Sequence, residues 1–200
     1  MIEKPTINVD GLKVSITIIE QALEAMAQGR PILLVGAAGA GKSMLARKLG
    51  AVRGGPFRAP HHTVSKVGMT GNKRNPKGEC ALADKGTLFL DELPEFRRDV
   101  LFDAVRVAYR EGELVHHDRR DPPASPREST DFWLIGAMNY CPCGWLGSKT
   151  RRCVCGGPML ERYAQRIQDF KDELGFEEIH ISRPDCSQPC IMAPGEIPED

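Results

Sequence analysis

The sequence predicts an α/β domain on a mostly parallel sheet. Short, wholly apolar runs have the length and composition of strands buried on both faces. Helical segments alternate with those runs. A glycine-rich turn joins the first apolar run directly to a helix, as in domains that bind phosphate at a helix N-terminus.

Residues 1–14 read as a short arm with a turn at Asp10-Gly11. From Ser15 to Gln28, Ile16, Ile19, Leu23 and Met26 recur every three or four positions, the spacing of an amphipathic helix. Gly29 and Pro31 stop it. Ile32-Leu33-Leu34-Val35 is the first buried strand, and Ser43 to Leu49 is a helix. Thr87 to Asp91 and Phe132 to Ala137 are further strands, with a weaker one at Glu178-Ile179-His180-Ile181. Phe96 to Tyr109 and Met159 to Leu174 are the helices between them. Residues 54–79 and 110–130 are loop-like, rich in Gly, Pro, Arg and His, and long enough to be functional insertions. The predicted organisation is an arm (1–14), a core (15–181) and a Pro- and Cys-containing tail (182–200) expected to be disordered.

A chain of 200 residues can bury roughly 70% of its unfolded surface, so a core forms without staples. It is 41% hydrophobic and 27% charged, a globular composition. Basic and acidic residues number 27 each, so no global field recruits nucleic acid or anionic lipid, and such binding must come from local patches. No apolar stretch approaches a bilayer span, and the N-terminus carries no apolar signal region. Membrane and exported classes are excluded, and a cytoplasmic protein is expected.

Gly36-Ala37-Ala38-Gly39-Ala40-Gly41-Lys42-Ser43 matches G-x-x-x-x-G-K-[ST] between a buried strand and a helix. The glycines let backbone N–H groups turn inward around a phosphate, Lys42 places a charge on β/γ oxygens, and Ser43 can ligand Mg²⁺. The partner half is an acid at the end of another strand, and Asp91-Glu92 supplies it. Asp91 suits the Mg²⁺ shell, and Glu92 suits orienting or deprotonating the attacking water. Asn139, at the end of the strand Phe132 to Ala137, can contact a γ-phosphate; taken alone it reads equally as a turn former.

Four motifs in order resemble a known family: the phosphate loop, Pro56-Phe57-Arg58-Ala59-Pro60-His61-His62-Thr63, Gly86 to Phe96, and Ala137-Met138-Asn139-Tyr140-Cys141-Pro142-Cys143-Gly144. Together they look like the magnesium-chelatase-related AAA+ ATPases of the ComM/YifB type. The resemblance covers about Val14 to Arg166. It implies an AAA+ P-loop core with a five-stranded sheet, ATP hydrolysis with Mg²⁺, and assembly into a homo-oligomeric ring, typically a hexamer. It makes Lys42 and Ser43 the Walker A residues, Asp91 and Glu92 Walker B, and Asn139 sensor 1. Lys66 to Lys77 then belongs to the helix-2 insert. Glu111 to Thr130, with Arg119, Arg120 and Arg127, forms a hairpin before sensor 1. The competence members of that group act on branched DNA, so DNA is an implied partner.

The chain departs from the family pattern, as a partial or divergent member would. Leu49 reaches Pro56 in seven residues, where the family has a longer connection. The segment carrying the arginine finger is not recognisable after Tyr163, nor is the sensor-2 lid. Arg162 and Arg166 are the arginines in that neighbourhood. Two alternatives therefore stand beside an ATPase acting on DNA: a nucleotide-binding switch with reduced catalysis, and a chelatase-type ATPase subunit.

Seven cysteines without an export signal point to metal or free thiols rather than disulfides. Cys141, Cys143, Cys153 and Cys155 form two C-x-C pairs that can close a tetrahedral Zn²⁺ site, with reduced surface thiols as the competing reading. Cys80 reads as a small buried side chain, and Cys186 and Cys190 are unassigned. His61 and His62 suit turn hydrogen bonding or subunit packing better than ligation, and His116 and His117 a solvated or DNA-facing role. Lys66, Lys73, Arg74 and Lys77 against Glu79 make a local basic patch, small in one chain but additive in a ring.

Overall fold

The computed structural model describes residues 6–9, 12–116, 127–147 and 151–181, with side chains from Val14 onward. The N-terminal arm is a hairpin of β1 (Thr6–Val9) and β2 (Leu12–Ser15), antiparallel with Val9 opposite Leu12. It leads into α1 (Ile16–Ala27) without a break.

Five strands form the central sheet: β3 (Ile32–Val35), β4 (Phe57–Arg58), β5 (Thr87–Leu90), β8 (Trp133–Met138) and β9 (Glu177–His180). Their order is β4-β5-β8-β3-β9, and every neighbouring pair is parallel. Side-chain alternation splits the three central strands, β3, β5 and β8, between two cores. Leu33 and Val35 face one side with Leu88, Leu90 and Leu134, while Ile32 and Leu34 face the other with Phe89, Trp133, Ile135 and Ile179. Both faces are covered, so the runs are apolar throughout rather than alternating with polar residues.

Helices α1 and α2 (Lys42–Arg53) supply Ala22, Ala25, Leu45, Ala46 and Leu49 to one core. The opposite core receives Tyr163, Ile167 and Phe170 of α7 (Gly157–Leu174). It also receives an irregular helical segment: α5 (Arg98–Val100), a π-helical turn (Leu101–Val105) and α6 (Arg106–Glu111), closed by Gly112 at φ 67°. The helix expected at Phe96 to Tyr109 thus begins two residues later, after a 3₁₀ turn at Leu93–Glu95, and runs to Glu111.

The first insertion contains β4, α3 (Lys66–Thr70) and, at its end, α4 (Glu79–Leu82). Ser65 caps α3 by accepting from the Gly68 N–H at 3.0 Å. The second is a hairpin of β6 (Glu113–Val115) and β7 (Arg127–Ser129), antiparallel, with Arg127 paired to Glu113 at 2.8 Å. The two insertions touch where His116 Nε2 lies 3.1 Å from the Pro76 carbonyl. Arg119, Arg120, His117 and the tail with Cys186 and Cys190 fall outside the described residues. Among the described residues no helix is long and apolar enough to cross a membrane.

Candidate nucleotide site

The C-terminal ends of β3, β5 and β8 converge, because parallel strands place all their carboxyl ends at one edge. From β3 the chain turns through Gly36 to Gly41 into α2. Gly39 and Gly41 take φ of 73° and 89°, left-handed values that a side chain would strain. Gly36 is closed in sterically, since a Cβ there would stand 2.5 Å from the Ile181 carbonyl oxygen.

Lys42, the first residue of α2, folds back over this loop. Its Nζ donates to the carbonyls of Gly36 (2.8 Å) and Ala37 (2.9 Å) and to Asn139 Oδ1 (2.8 Å). Burial strips water from the ammonium and lowers its pKa from 10.5 to about 8; the carboxylates of Asp91 and Glu92 oppose that fall. Ser43 Oγ donates to Asp91 Oδ2 at 2.6 Å, and Asp91 Oδ1 accepts the Glu92 N–H at 3.0 Å. Lys42, Ser43, Asp91 and Asn139 come from three strand ends, and the structure brings them together.

Glu92 stands at the rim, its side chain 56% exposed, with its backbone at φ 54°. A left-handed non-glycine residue next to an acidic pair is the kind of strain that marks functional sites. His62 Nδ1 lies 3.4 Å from Glu92 Oε2, and His62 packs on His61 and Phe96. Local turn bonding holds for His61, whose Nδ1 is 2.9 Å from Thr63 Oγ1. The His62–Glu92 contact has no local sequence signal. It arises because β4 is the neighbour of β5 in the sheet. Beside these residues opens a pocket of about 260 Å³ lined by Ser43, Arg47, His61, His62, Asp91 and Glu92, among others.

The cysteine loop follows Asn139 directly. The sulfurs of Cys141, Cys143, Cys153 and Cys155 all lie within 4.8 Å of one another. Burial would raise the Cys143 pKa, but amide hydrogen bonds from Trp145 and Val154, with neighbouring thiols, bring it down to about 6. Cys80 is fully buried, and its thiol is pushed up to about 12 by that burial. Arg166 pairs with Glu95 of its own chain at 3.2 Å and reaches the Pro94 carbonyl at 3.3 Å.

A parallel sheet with the phosphate-loop strand flanked by β8 and β9, and an acid pair ending the strand beyond β8, is the α/β core of an AAA+-type P-loop protein. Solved structures agree on that fold. NtrX from Brucella abortus in complex with ADP superposes with a TM-score of 0.55 at 18% identity, over 82% of this chain and 34% of NtrX. Its ATP complex gives 0.54 at 19% identity, over 87% of this chain and 39% of that one.

The sequence family described as "Magnesium chelatase, subunit ChlI" matches residues 50–181, and the chain belongs to it. Among curated proteins it is 31% identical to "Uncharacterized protein YifB" of Salmonella typhimurium, over 80% of this chain and 39% of that protein. It is also 39% identical to "Competence protein ComM" of Haemophilus influenzae, over 56% of this chain and 24% of that protein. The ComM/YifB-type resemblance is therefore correct, and the chain spans well under half the length of these relatives.

Proposed function

We propose that this chain is a Mg-ATP-binding AAA+ module that hydrolyses ATP as part of a homo-oligomeric ring and couples turnover to DNA remodelling. What carries the reading is the convergence of Lys42, Ser43, Asp91 and Asn139 on one phosphate loop. The backbone amides of the loop and Lys42 hold the triphosphate; the Lys42 ammonium exchanges carbonyl acceptors for β/γ oxygens. Ser43 and Asp91 would hold Mg²⁺, which supplies charge neutralisation on those oxygens. Glu92 orients the attacking water and accepts its proton, and Asn139 contacts the γ-phosphate end.

DNA enters through the ComM-type resemblance, whose competence members act on branched DNA, and through Lys73, Arg74 and Lys77 of the first insertion, where Lys66 pairs with Asp103 at 3.2 Å. The cysteine cluster is assigned to structural Zn²⁺. A tetrahedron with metal–sulfur bonds of about 2.3 Å has sulfur–sulfur edges of about 3.8 Å. The separations here are 3.4 Å (Cys141–Cys143), 3.6 Å (Cys143–Cys153) and 3.7 Å (Cys141–Cys153), an arrangement that suits the ion. Cytoplasmic location is the setting in which such thiols stay reduced.

One observation favours a second reading, a nucleotide switch with reduced catalysis: Arg166, though exposed, is paired with Glu95 of its own chain. ATP turnover measured with and without forked DNA separates the two. Stimulation by DNA supports the motor. Binding of Mg-ATP with negligible turnover under both conditions supports the switch.

A further inference from the structure

The cysteine cluster and the phosphate loop are two sites joined by one hydrogen bond. The Ala38 N–H, inside the phosphate loop, donates to the Gly144 carbonyl at 3.1 Å. Gly144 follows the ligand candidate Cys143 and sits in a turn that closes on Cys141. The Gly144 N–H donates to the Cys141 carbonyl at 3.0 Å, and the Leu146 N–H donates to Cys141 Sγ at 3.2 Å. The turn needs φ 77° at Gly144, and a Cβ there would stand 3.1 Å from Ala38 Cβ and 3.5 Å from Asn139 Nδ2.

The other half of the cluster is tied elsewhere. Cys153 and Cys155 lead directly into α7 through Gly156, and the Cys155 N–H donates to Cys153 Sγ at 3.4 Å. A metal on the four sulfurs therefore joins the phosphate loop, through Gly144, to the end of β8, through Cys141, and to the start of α7, through Cys155.

We propose that the four-cysteine site is a Zn²⁺-dependent clamp on the phosphate loop, so that loading it with metal sets nucleotide affinity. The proposal rests on the Zn²⁺ reading of the cluster and goes beyond a structural staple. With the ion bound, the turn that presents the Gly144 carbonyl is rigid, and Ala38 is held in the loop conformation that receives phosphate. Without it, the Gly144–Cys141 backbone bond and the thiol contacts close the turn unaided, and ordering the loop becomes an added cost of binding nucleotide.

The test uses the full chain purified without chelator. Zinc content is measured, followed by Mg-ATP affinity with a fluorescent analogue. Both are repeated after chelator dialysis into excess Mg²⁺ and again after return of stoichiometric Zn²⁺, with far-UV circular dichroism throughout. About one zinc per chain is expected, with affinity weakened about tenfold or more on stripping and restored by Zn²⁺. Absence of zinc overturns the metal reading and the clamp with it. Zinc present, with affinity unchanged after stripping, overturns the clamp alone and leaves the staple. Should the stripped chain unfold, Cys155→Ser decides: it removes one sulfur of the cluster and leaves the Ala38–Gly144 contact in place. Reduced zinc with weakened nucleotide binding supports the clamp, and reduced zinc with unchanged binding overturns it.

Discussion

Lys42 is buried to 7% exposure with three oxygen acceptors around one ammonium. Replacing it with Ala removes both the charge and the tie to Asn139, so Lys42→Ala is expected to weaken Mg-ATP binding by about 100-fold. Equal affinity in the two proteins, measured calorimetrically, would remove the site assignment. Its pKa also makes a pH prediction. The folded value, about 8, lies below the free-lysine value of 10.5, so the folded chain holds fewer protons in that window. Burying the charged form opposes folding most below pH 8, and that opposition fades as pH rises towards 10.5. A bound triphosphate restores the charge. Binding at pH 9 is therefore expected to take up close to a full proton, and apparent affinity should fall as pH climbs through 8. Titrations in buffers of different ionisation enthalpy would show it; no proton uptake at pH 9 would contradict the burial argument. The Glu92 side chain is exposed and meets His62, while the tie to Asp91 runs through the Glu92 backbone N–H, which Gln keeps. Glu92→Gln is thus expected to retain Mg-ATP while turnover falls by at least about 100-fold, read by single-turnover hydrolysis. The carboxylates and the lysine were legible as motif residues. His62 also lay in a motif, but its contact with Glu92 was not legible, because that partner is 30 positions away and meets it only through strand order.

At the scale of elements, legibility followed burial. β3, β5 and β8 are buried on both faces, so each announces itself as an unbroken apolar run. β4 is two residues long at the sheet edge, too short to carry any period. α3 and α4 are held by a Ser65 cap and by packing of Met69 and Cys80 against the large core, not by repeating pattern. The π-helical turn is likewise invisible in sequence: an extra residue per turn lets Leu101, Phe102, Ala104 and Val105 all reach the core. α7 is the element whose removal should matter most. Phe170 is fully buried and meets Phe102 edge-on at 5.7 Å and Phe176 at 5.7 Å. Phe170→Ala is expected to cost about 3–5 kcal/mol in urea unfolding. A loss below about 1 kcal/mol would mean that α7 is not integral to the core. The surface ion pairs on the same helix, such as Arg98–Asp169 at 3.1 Å, are exposed on both sides and should contribute little.

For the whole molecule, the decisive measurement is ATP turnover against protein concentration. If neighbouring chains complete each site, specific activity should rise with concentration and plateau as the ring saturates; a flat profile would argue for a site complete, or silent, within one chain. The phosphate loop was readable because backbone chemistry restricts which residues can wrap a phosphate, and those restrictions lie in eight consecutive positions; the family was readable from four motifs in order. The same holds for the alternation of strands and helices, which follows from which faces must leave water. The tertiary structure alone decided the strand order, which sets β8 between the phosphate-loop strand and the acidic strand and so brings Asn139 to Lys42. It alone decided that the cysteine turn lies against Ala38. Contacts between residues roughly a hundred positions apart depend on how whole layers pack, and no local pattern of side chains records that.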